Sequence, residues 1–342
     1  MKFKKFIVFL VLSVQPIFGQ QTFQFSQYYF NKFLYNPAFA GFEDYVDLKT
    51  GYRSQWTGLG ANNKTFYLTG NVALGKNDIT SDGPTPNIST FKSYSPKQTR
   101  IRNNDYKSGT HQGLGLQIIS DQFGPVNTLA ISATYAFHIS LGGERKLSAG
   151  FSLGNYNRTI NLSQDSFDVS DPNDILLNSN GKLSVNHNLI NLGATYYNRT
   201  NYIGLSAVQP IMETFNYTSK NGDTSNTKNS FGQMPSVFIV QAGTSKELSE
   251  NVKIYPTCLI KYINKSQWTA EATLRAMFKE SAWAGVSYRL KESIGIHAGA
   301  KLNPNLLVNY SYDFQGNFGP FNRSLSSNEI TIAYMFYMKG LK

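Results

Sequence analysis

From Leu129 to Leu141 the chain alternates strictly. Leu129, Ile131, Ala133, Tyr135, Phe137, Ile139 and Leu141 fall on one side, and Ala130, Ser132, Thr134, Ala136, His138 and Ser140 on the other. Successive side chains of an extended strand point to opposite faces, so this segment has one apolar and one mostly polar face. The pattern returns in Trp268, Ala270, Ala272, Leu274, Ala276 and Phe278 against Thr269, Glu271, Thr273 and Arg275. It returns again in Ala282, Ala284, Val286, Tyr288 and Leu290 against Ser281, Gly285, Ser287 and Arg289. A soluble sandwich alternates too, with its apolar face inward and fewer flanking aromatics. Alternation from about Glu43 to the end, with almost no helical period, suits one closed barrel better.

No stretch after the amino terminus is long and apolar enough for a membrane helix, and mean hydropathy is only −0.32. A barrel escapes that test, because each strand needs ~9–11 residues and half of them face a polar lumen. Composition agrees: aromatics make up 14% of the chain and charged residues only 15%, against about 25% in ordinary soluble proteins. The expectation is an all-β transmembrane outer-membrane β-barrel of about fourteen antiparallel strands.

The leader fits that destination. Lys2, Lys4 and Lys5 precede the apolar run Phe6 to Val14, and Gly19 follows. This is the order of a secretory signal peptide over residues 1–20. Cys258 is the only cysteine, which excludes an intrachain disulfide and a lipid anchor at the cleavage point. The formal charge of +11 includes the three leader lysines. The remaining cations are dispersed rather than clustered on one helix, so no nucleic acid is expected; outer-membrane lipids or an acidic partner fit better.

The expected strands are Glu43–Arg53, Lys64–Leu74, Gln112–Ser120, Thr128–Leu141, Lys146–Asn157, Asn186–Tyr197 and Tyr202–Val208. Ser236–Lys246, Val252–Ile263, Gln267–Phe278, Ser281–Leu290, Ser293–Leu302, Leu306–Phe314 and Ser326–Tyr337 complete the set. Counted from a periplasmic amino terminus, the tight connections fall on the periplasmic side, as in bacterial barrels. Residues 21–42 form a periplasmic lead-in or plug, and 43–342 the barrel. Within it, 75–110 is polar and reads as a periplasmic insertion, the alternative being hidden strands. Ile160–Leu183 and Pro210–Gln233 read as mobile surface loops.

One succession of short motifs is more specific. Gln24-Phe25-Ser26-Gln27-Tyr28 and Asn31 lead to Tyr35-Asn36-Pro37-Ala38-Phe39-Ala40-Gly41. Then come Tyr52-Arg53-Ser54-Gln55-Trp56-Thr57-Gly58, Asp121-Gln122-Phe123-Gly124-Pro125, and a last strand with Asn328-Glu329-Ile330 and Tyr334. In order and spacing this resembles the PorP/SprF family, outer-membrane proteins of the type IX secretion system of Bacteroidota. The resemblance spans nearly the whole mature chain; the stretch 75–110, where the family has a short turn, is the departure. It implies a non-enzymatic partner in secretion and surface attachment of cargo with a C-terminal sorting domain, such as a gliding adhesin. It further implies translocon components and a peptidoglycan-binding lipoprotein as partners.

Pro37 fixes its own φ and pushes Asn36 towards extended geometry, and Gly41 allows a sharp turn into the first strand. The aromatic-rich Phe23–Phe39 either folds into the lumen as a plug or packs under the barrel, with a structural cap at the barrel base as the other reading. Tyr52, Arg53, Gln55 and Trp56 read as the strand end and its interfacial anchor, with cargo contact the second reading. Tyr35, Asn36, Pro37, Gly41, Tyr52, Arg53, Gln55 and Trp56 are therefore the candidate partner-binding or plug residues.

Nothing suggests catalysis. His111, His138, His187 and His297 lack ligand spacing, so no metal is expected. Gly113-Leu114-Gly115 lacks the third glycine of a phosphate loop, and no cofactor is expected. Glu271, Arg275, Arg289, Lys253 and Lys261 face the lumen in this register and are expected to brace it. The competing functions are an outer-membrane transporter for a small hydrophobic molecule and a general porin.

Overall fold

The computed structural model describes residues 23–57, 63–76, 109–161, 182–210, 214–219, 227–233, 235–264, 268–315 and 325–337. The leader and most of the 75–110 stretch lie outside these residues. The strands are β1 (Val46–Thr57), β2 (Lys64–Leu74), β3 (His111–Phe123), β4 (Val126–Ser140), β5 (Lys146–Asn161) and β6 (Lys182–Tyr197). They continue as β7 (Asn201–Val208), β8 (Thr214–Ser219), β9 (Thr227–Gln233), β10 (Val237–Thr244), β11 (Lys246–Ser249) and β12 (Val252–Ile263). The last are β13 (Trp268–Phe278), β14 (Ala282–Arg289), β15 (Ser293–Asn303), β16 (Leu306–Gln315) and β17 (Leu325–Phe336).

Strands β1 to β7 and β12 to β17 pair antiparallel in chain order, and β10 joins β7 to β12. β11 continues β10 past Ser245 on the same partner, so the two make one barrel strand. The ring closes where β1 meets β17, in a register running from Val46 against Phe336 to Ser54 against Asn328. The result is a closed barrel of fourteen strands with no free edge.

Closure sets the two faces. Leu48, Phe66, Leu116, Ile131, Leu205, Val286 and Ile296 are exposed on the outside, while Arg53, Arg289, Asp313, Glu329 and Thr331 are at most 1% exposed within. That distribution is inverted relative to a water-soluble protein and is stable only with lipid around the ring. The protein is an outer-membrane barrel.

The two rims differ. At one, the strands are joined by short turns at Leu141–Arg145, Asn198–Thr200, Glu250–Asn251, Lys279–Ser281 and Pro304–Asn305; this is the turn end. The opposite loop end carries the Gly124-Pro125 turn, the connections 162–181 and 316–324 and the separate β8–β9 hairpin, while the longest connection, 75–110, joins β2 to β3 at the turn end.

Two expectations are corrected there. Pro210–Gln233 is not wholly loop, because Thr214–Ser219 and Thr227–Gln233 pair with each other, consistent with their Thr, Tyr and Phe content. The β5–β6 hairpin also extends two residues into each end of the Ile160–Leu183 stretch, to the pair Asn161 and Lys182, and residues 162–181 lie outside the described residues. Its outward residues Ser184, Asn186 and Asn188 are polar, so alternation fades where the strands leave the apolar layer although the ladder continues.

Candidate functional site

The chain enters at the loop end, where the Phe23 ring lies 6.4 Å from Tyr156 and Gln24 Oε1 accepts from Lys261. It descends inside the ring and emerges at the turn end beside His111 and His138, ahead of β1. No ladder is available to it, so it satisfies its own backbone with tight turns: the Phe30 amide on the Gln27 carbonyl at 2.9 Å, Tyr35 on Lys32 and Ala40 on Pro37 at 3.1 Å. Lys32–Leu34 and Pro37–Phe39 are single 3₁₀ turns.

Asn36 organises the second turn. Its Oδ1 accepts the Ala38 amide at 2.9 Å, capping a turn whose first residue is Pro37. Its Nδ2 donates to Thr195 Oγ1 and the Leu205 carbonyl, both at 3.2 Å, tying the turn to β6 and β7. The wall holds the neighbouring carbonyls as well. Ser206 donates to Tyr35 O at 2.6 Å, Ser148 to Ala38 O at 2.8 Å, and His138 Nε2 lies 2.8 Å from Ala40 O. Gly41 adopts φ +72° and donates its amide to Asn71 Oδ1 at 3.0 Å, making the turn that the sequence suggested.

Wall glycines make room for this contact. A Cβ on Gly113 would strike the Ala40 carbonyl, and one on Gly150 would lie 2.7 Å from the Pro37 carbonyl oxygen. Both positions point inward on their strands, where a larger side chain would displace the turn.

Higher in the lumen, Ser26 and Gln27 engage the opposite wall. Ser26 Oγ donates to Asp313 at 2.5 Å, and the Ser26 amide to Glu329 Oε2 at 2.7 Å. Gln27 accepts from Asn309 Nδ2 at 2.7 Å and donates to the Glu329 carbonyl at 2.9 Å. Arg53, fully buried, pairs with Asp313 at 3.2 Å and Glu329 at 3.3 Å and also reaches Ser26 Oγ. Arg289 pairs with Glu271 at 2.9 Å and Glu292 at 3.0 Å. The Arg275 guanidinium sits 4.3 Å from the Tyr29 ring centre. A buried ion pair balances desolvation only when its remaining lone pairs and protons are satisfied, and Ser26 supplies such contacts from the inner segment.

The candidate residues therefore divide. Tyr35, Asn36, Pro37, Gly41, Arg53 and Gln55 are buried inside the barrel. Tyr52 is 42% exposed on the outer face, between Phe66 and Ile330 of the flanking strands. Trp56, at φ +56°, sits at the loop-end rim where β1 bulges against β17, and its ring meets Phe123 edge-on at 5.5 Å. The Gly124-Pro125 turn docks beside it, the Gly124 amide donating to Asn63 Oδ1 at 3.2 Å. Of the expected bracing set, Lys253 lies at the turn-end rim, paired with Glu247 and Glu280.

Sequence reasoning missed Lys32. Its ammonium is buried 4.6 Å from the Tyr202 ring centre, 5.1 Å from Phe42 and 5.5 Å from Phe39. Burial pushes its pKa down to about 7. Two of the three rings lie in its own segment, so aromatic density around a lone lysine was the available signal. Among the described residues there is no cluster of His, Cys, Asp or Glu able to hold a metal.

Residues 17–334 match the family described as "Type IX secretion system membrane protein PorP/SprF". Among curated proteins none is similar enough to count as a relative. Several solved structures are similar to it. A FadL homologue of Pseudomonas aeruginosa is 11% identical, covering 94% of this chain and 96% of its own, at a TM-score of 0.47. The toluene transporter TbuX of Ralstonia pickettii is 9% identical, covering 89% and 92%, at 0.46. The outer membrane protein Omp33 of Acinetobacter baumannii is 9% identical, covering 86% and 100%, at 0.46.

Proposed function

Because this chain belongs to the PorP/SprF family of type IX secretion system membrane proteins, we propose that it is a plugged, non-enzymatic outer-membrane partner of that system. It supports secretion and cell-surface attachment of cargo bearing a C-terminal sorting domain, such as a gliding adhesin. The observation that carries this reading is the filled lumen. Phe25 to Phe42 hydrogen-bonds to inward residues on both sides of the ring, from Thr195 and Ser206 to Asn309 and Asp313. A general porin needs an aqueous path through that section.

The function then lies in surfaces at the rims. Short turns are periplasmic in bacterial barrels, which puts the turn end towards a peptidoglycan-binding lipoprotein and the loop end, with Trp56 and the β8–β9 hairpin, towards cargo and translocon components. Tyr35, Asn36, Pro37, Gly41 and Arg53 hold the plug, while Tyr52 and Trp56 anchor the first strand at the loop-end boundary. Deleting the gene and labelling the intact cell surface tests the proposal. Loss of display of one or more sorting-domain proteins, restored by the gene in trans, is the expected result; unchanged display of all of them overturns it.

A further inference from the structure

Above the plug, the lumen departs from its own chemistry. Elsewhere its inward positions are mostly Arg, Asp, Glu, Asn, Ser and Thr, but around one cavity Ile, Leu and Val gather beside Gln117, Ser132 and Asn191. Ile119, Leu189, Val237 and Ile239 form its wall on β3, β6 and β10, and Phe25 and Leu34 of the inner segment close its floor. The cavity is partly open to solvent. Its lining includes two cations, Arg158 of β5 and Lys261 of β12, and no carboxylate. Leu189 and Val208 border the place where β7 stops: β6 continues upward past Asn191, the last residue paired with β7. Gln209 takes over there, at φ +49°, accepting the Ile190 amide at 3.1 Å and donating to the Asn188 carbonyl at 3.1 Å.

We propose that this loop-end cavity is a binding site for a small amphipathic anion, an apolar chain ending in a carboxylate. The aliphatic wall removes the chain from water, and Arg158 and Lys261 attract its charged end. The site lies above the plug, so it binds without conducting, and its existence does not depend on the secretion role.

The test uses the full mature protein refolded into zwitterionic lipid nanodiscs. Dansyl-undecanoate fluorescence is titrated, with laurate and dodecanol as competitors. Saturable one-to-one binding is expected, with laurate competing about tenfold better than dodecanol. Ala130→Trp, which fills the cavity from β4, abolishes it; should that variant not fold, Val237→Phe serves, and heat-modifiable migration in gels reports folding. Arg158→Gln weakens laurate about tenfold and leaves dodecanol unchanged. Absence of saturable binding, binding that survives the filling variant, or equal losses for acid and alcohol in Arg158→Gln each overturns the proposal.

Discussion

Ser26 donates its hydroxyl hydrogen to Asp313 at 2.5 Å, across 287 residues of chain. The same oxygen meets the Arg53 guanidinium, which also pairs with Asp313 and Glu329. One inner-segment side chain thus completes an ion cluster built by β1, β16 and β17. The two ways of damaging it should differ. Ser26→Ala removes hydrogen bonds to two charged partners without leaving a charge unpaired and should cost about 1.5–3 kcal/mol. Arg53→Ala leaves buried Glu329 without its cation and Asp313 with only Arg289, 3.9 Å away, and should cost about 3–5 kcal/mol. Urea titration of the refolded barrel, followed by tryptophan fluorescence, measures both, and equal losses would show that the cluster is not held by charge.

The inner segment should also set conductance. Wild-type protein in planar bilayers is expected to pass little current. Gly113→Leu places a side chain where the Ala40 carbonyl lies, so the plug must shift while the outward face is untouched. Larger or more frequent openings are expected, with heat-modifiable migration preserved. Unchanged current from a folded Gly113→Leu barrel would mean that the plug does not limit the pore.

Asn36 serves both a cap and a cross-strand tie. Asn36→Ala loses the Ala38 cap, worth about 1 kcal/mol, and frees the Thr195 hydroxyl and Leu205 carbonyl on the wall. Asn36→Asp keeps the cap acceptor but loses the donor to the carbonyl. Thiol labelling of a cysteine placed at Ala38 should be slow in an otherwise wild-type background, intermediate with Asn36→Asp and fastest with Asn36→Ala. Faster labelling with Asn36→Asp than with Asn36→Ala would assign the dominant role to the tie, whose Leu205 carbonyl would then face a carboxylate, rather than to the cap.

The barrel was legible because lipid writes itself into every second residue. In β4 the expected outward set, Leu129 to Leu141, is the exposed one, and His138 faces the lumen. Legibility ended where lipid ended: β5 and β6 rise beyond Asn157 and Asn186 on polar outward residues that leave no period to read. The motif residues Asn36, Pro37 and Gly41 could be assigned turn chemistry from sequence, because that chemistry is local. Their partners could not, since nothing in the spacing of Ser26 and Asp313, or of Lys32 and Tyr202, marks them as neighbours. The inward glycines were a partial signal: Gly113 and Gly150 stand where the alternation places lumen side chains, and their emptiness is the imprint of the Pro37–Gly41 turn.

Lys32 makes the stability of the plugged form depend on pH. Its ammonium is buried among Phe39, Phe42 and Tyr202, and burial lowers its pKa from 10.5 to about 7. In the unfolded chain the amine keeps its proton up to about pH 10.4. Between these limits the unfolded state binds more protons, so stability rises as pH increases from about 7 towards 10, by at most about 1.4 kcal/mol per pH unit from this group. Below pH 7 the amine is charged in both states and the full burial penalty is felt. Tyr29 and Tyr35, whose hydroxyls burial holds above their ordinary value, contribute with the opposite sign only above about pH 10. Lys32→Met keeps the length of the side chain and its contact with the rings while removing the titration. Urea midpoints of wild type and Lys32→Met, taken at half-unit steps from pH 6.5 to 9.5, should therefore converge as pH rises, with the variant more stable at the acid end. Parallel curves would show that the buried amine does not lose its proton in this range.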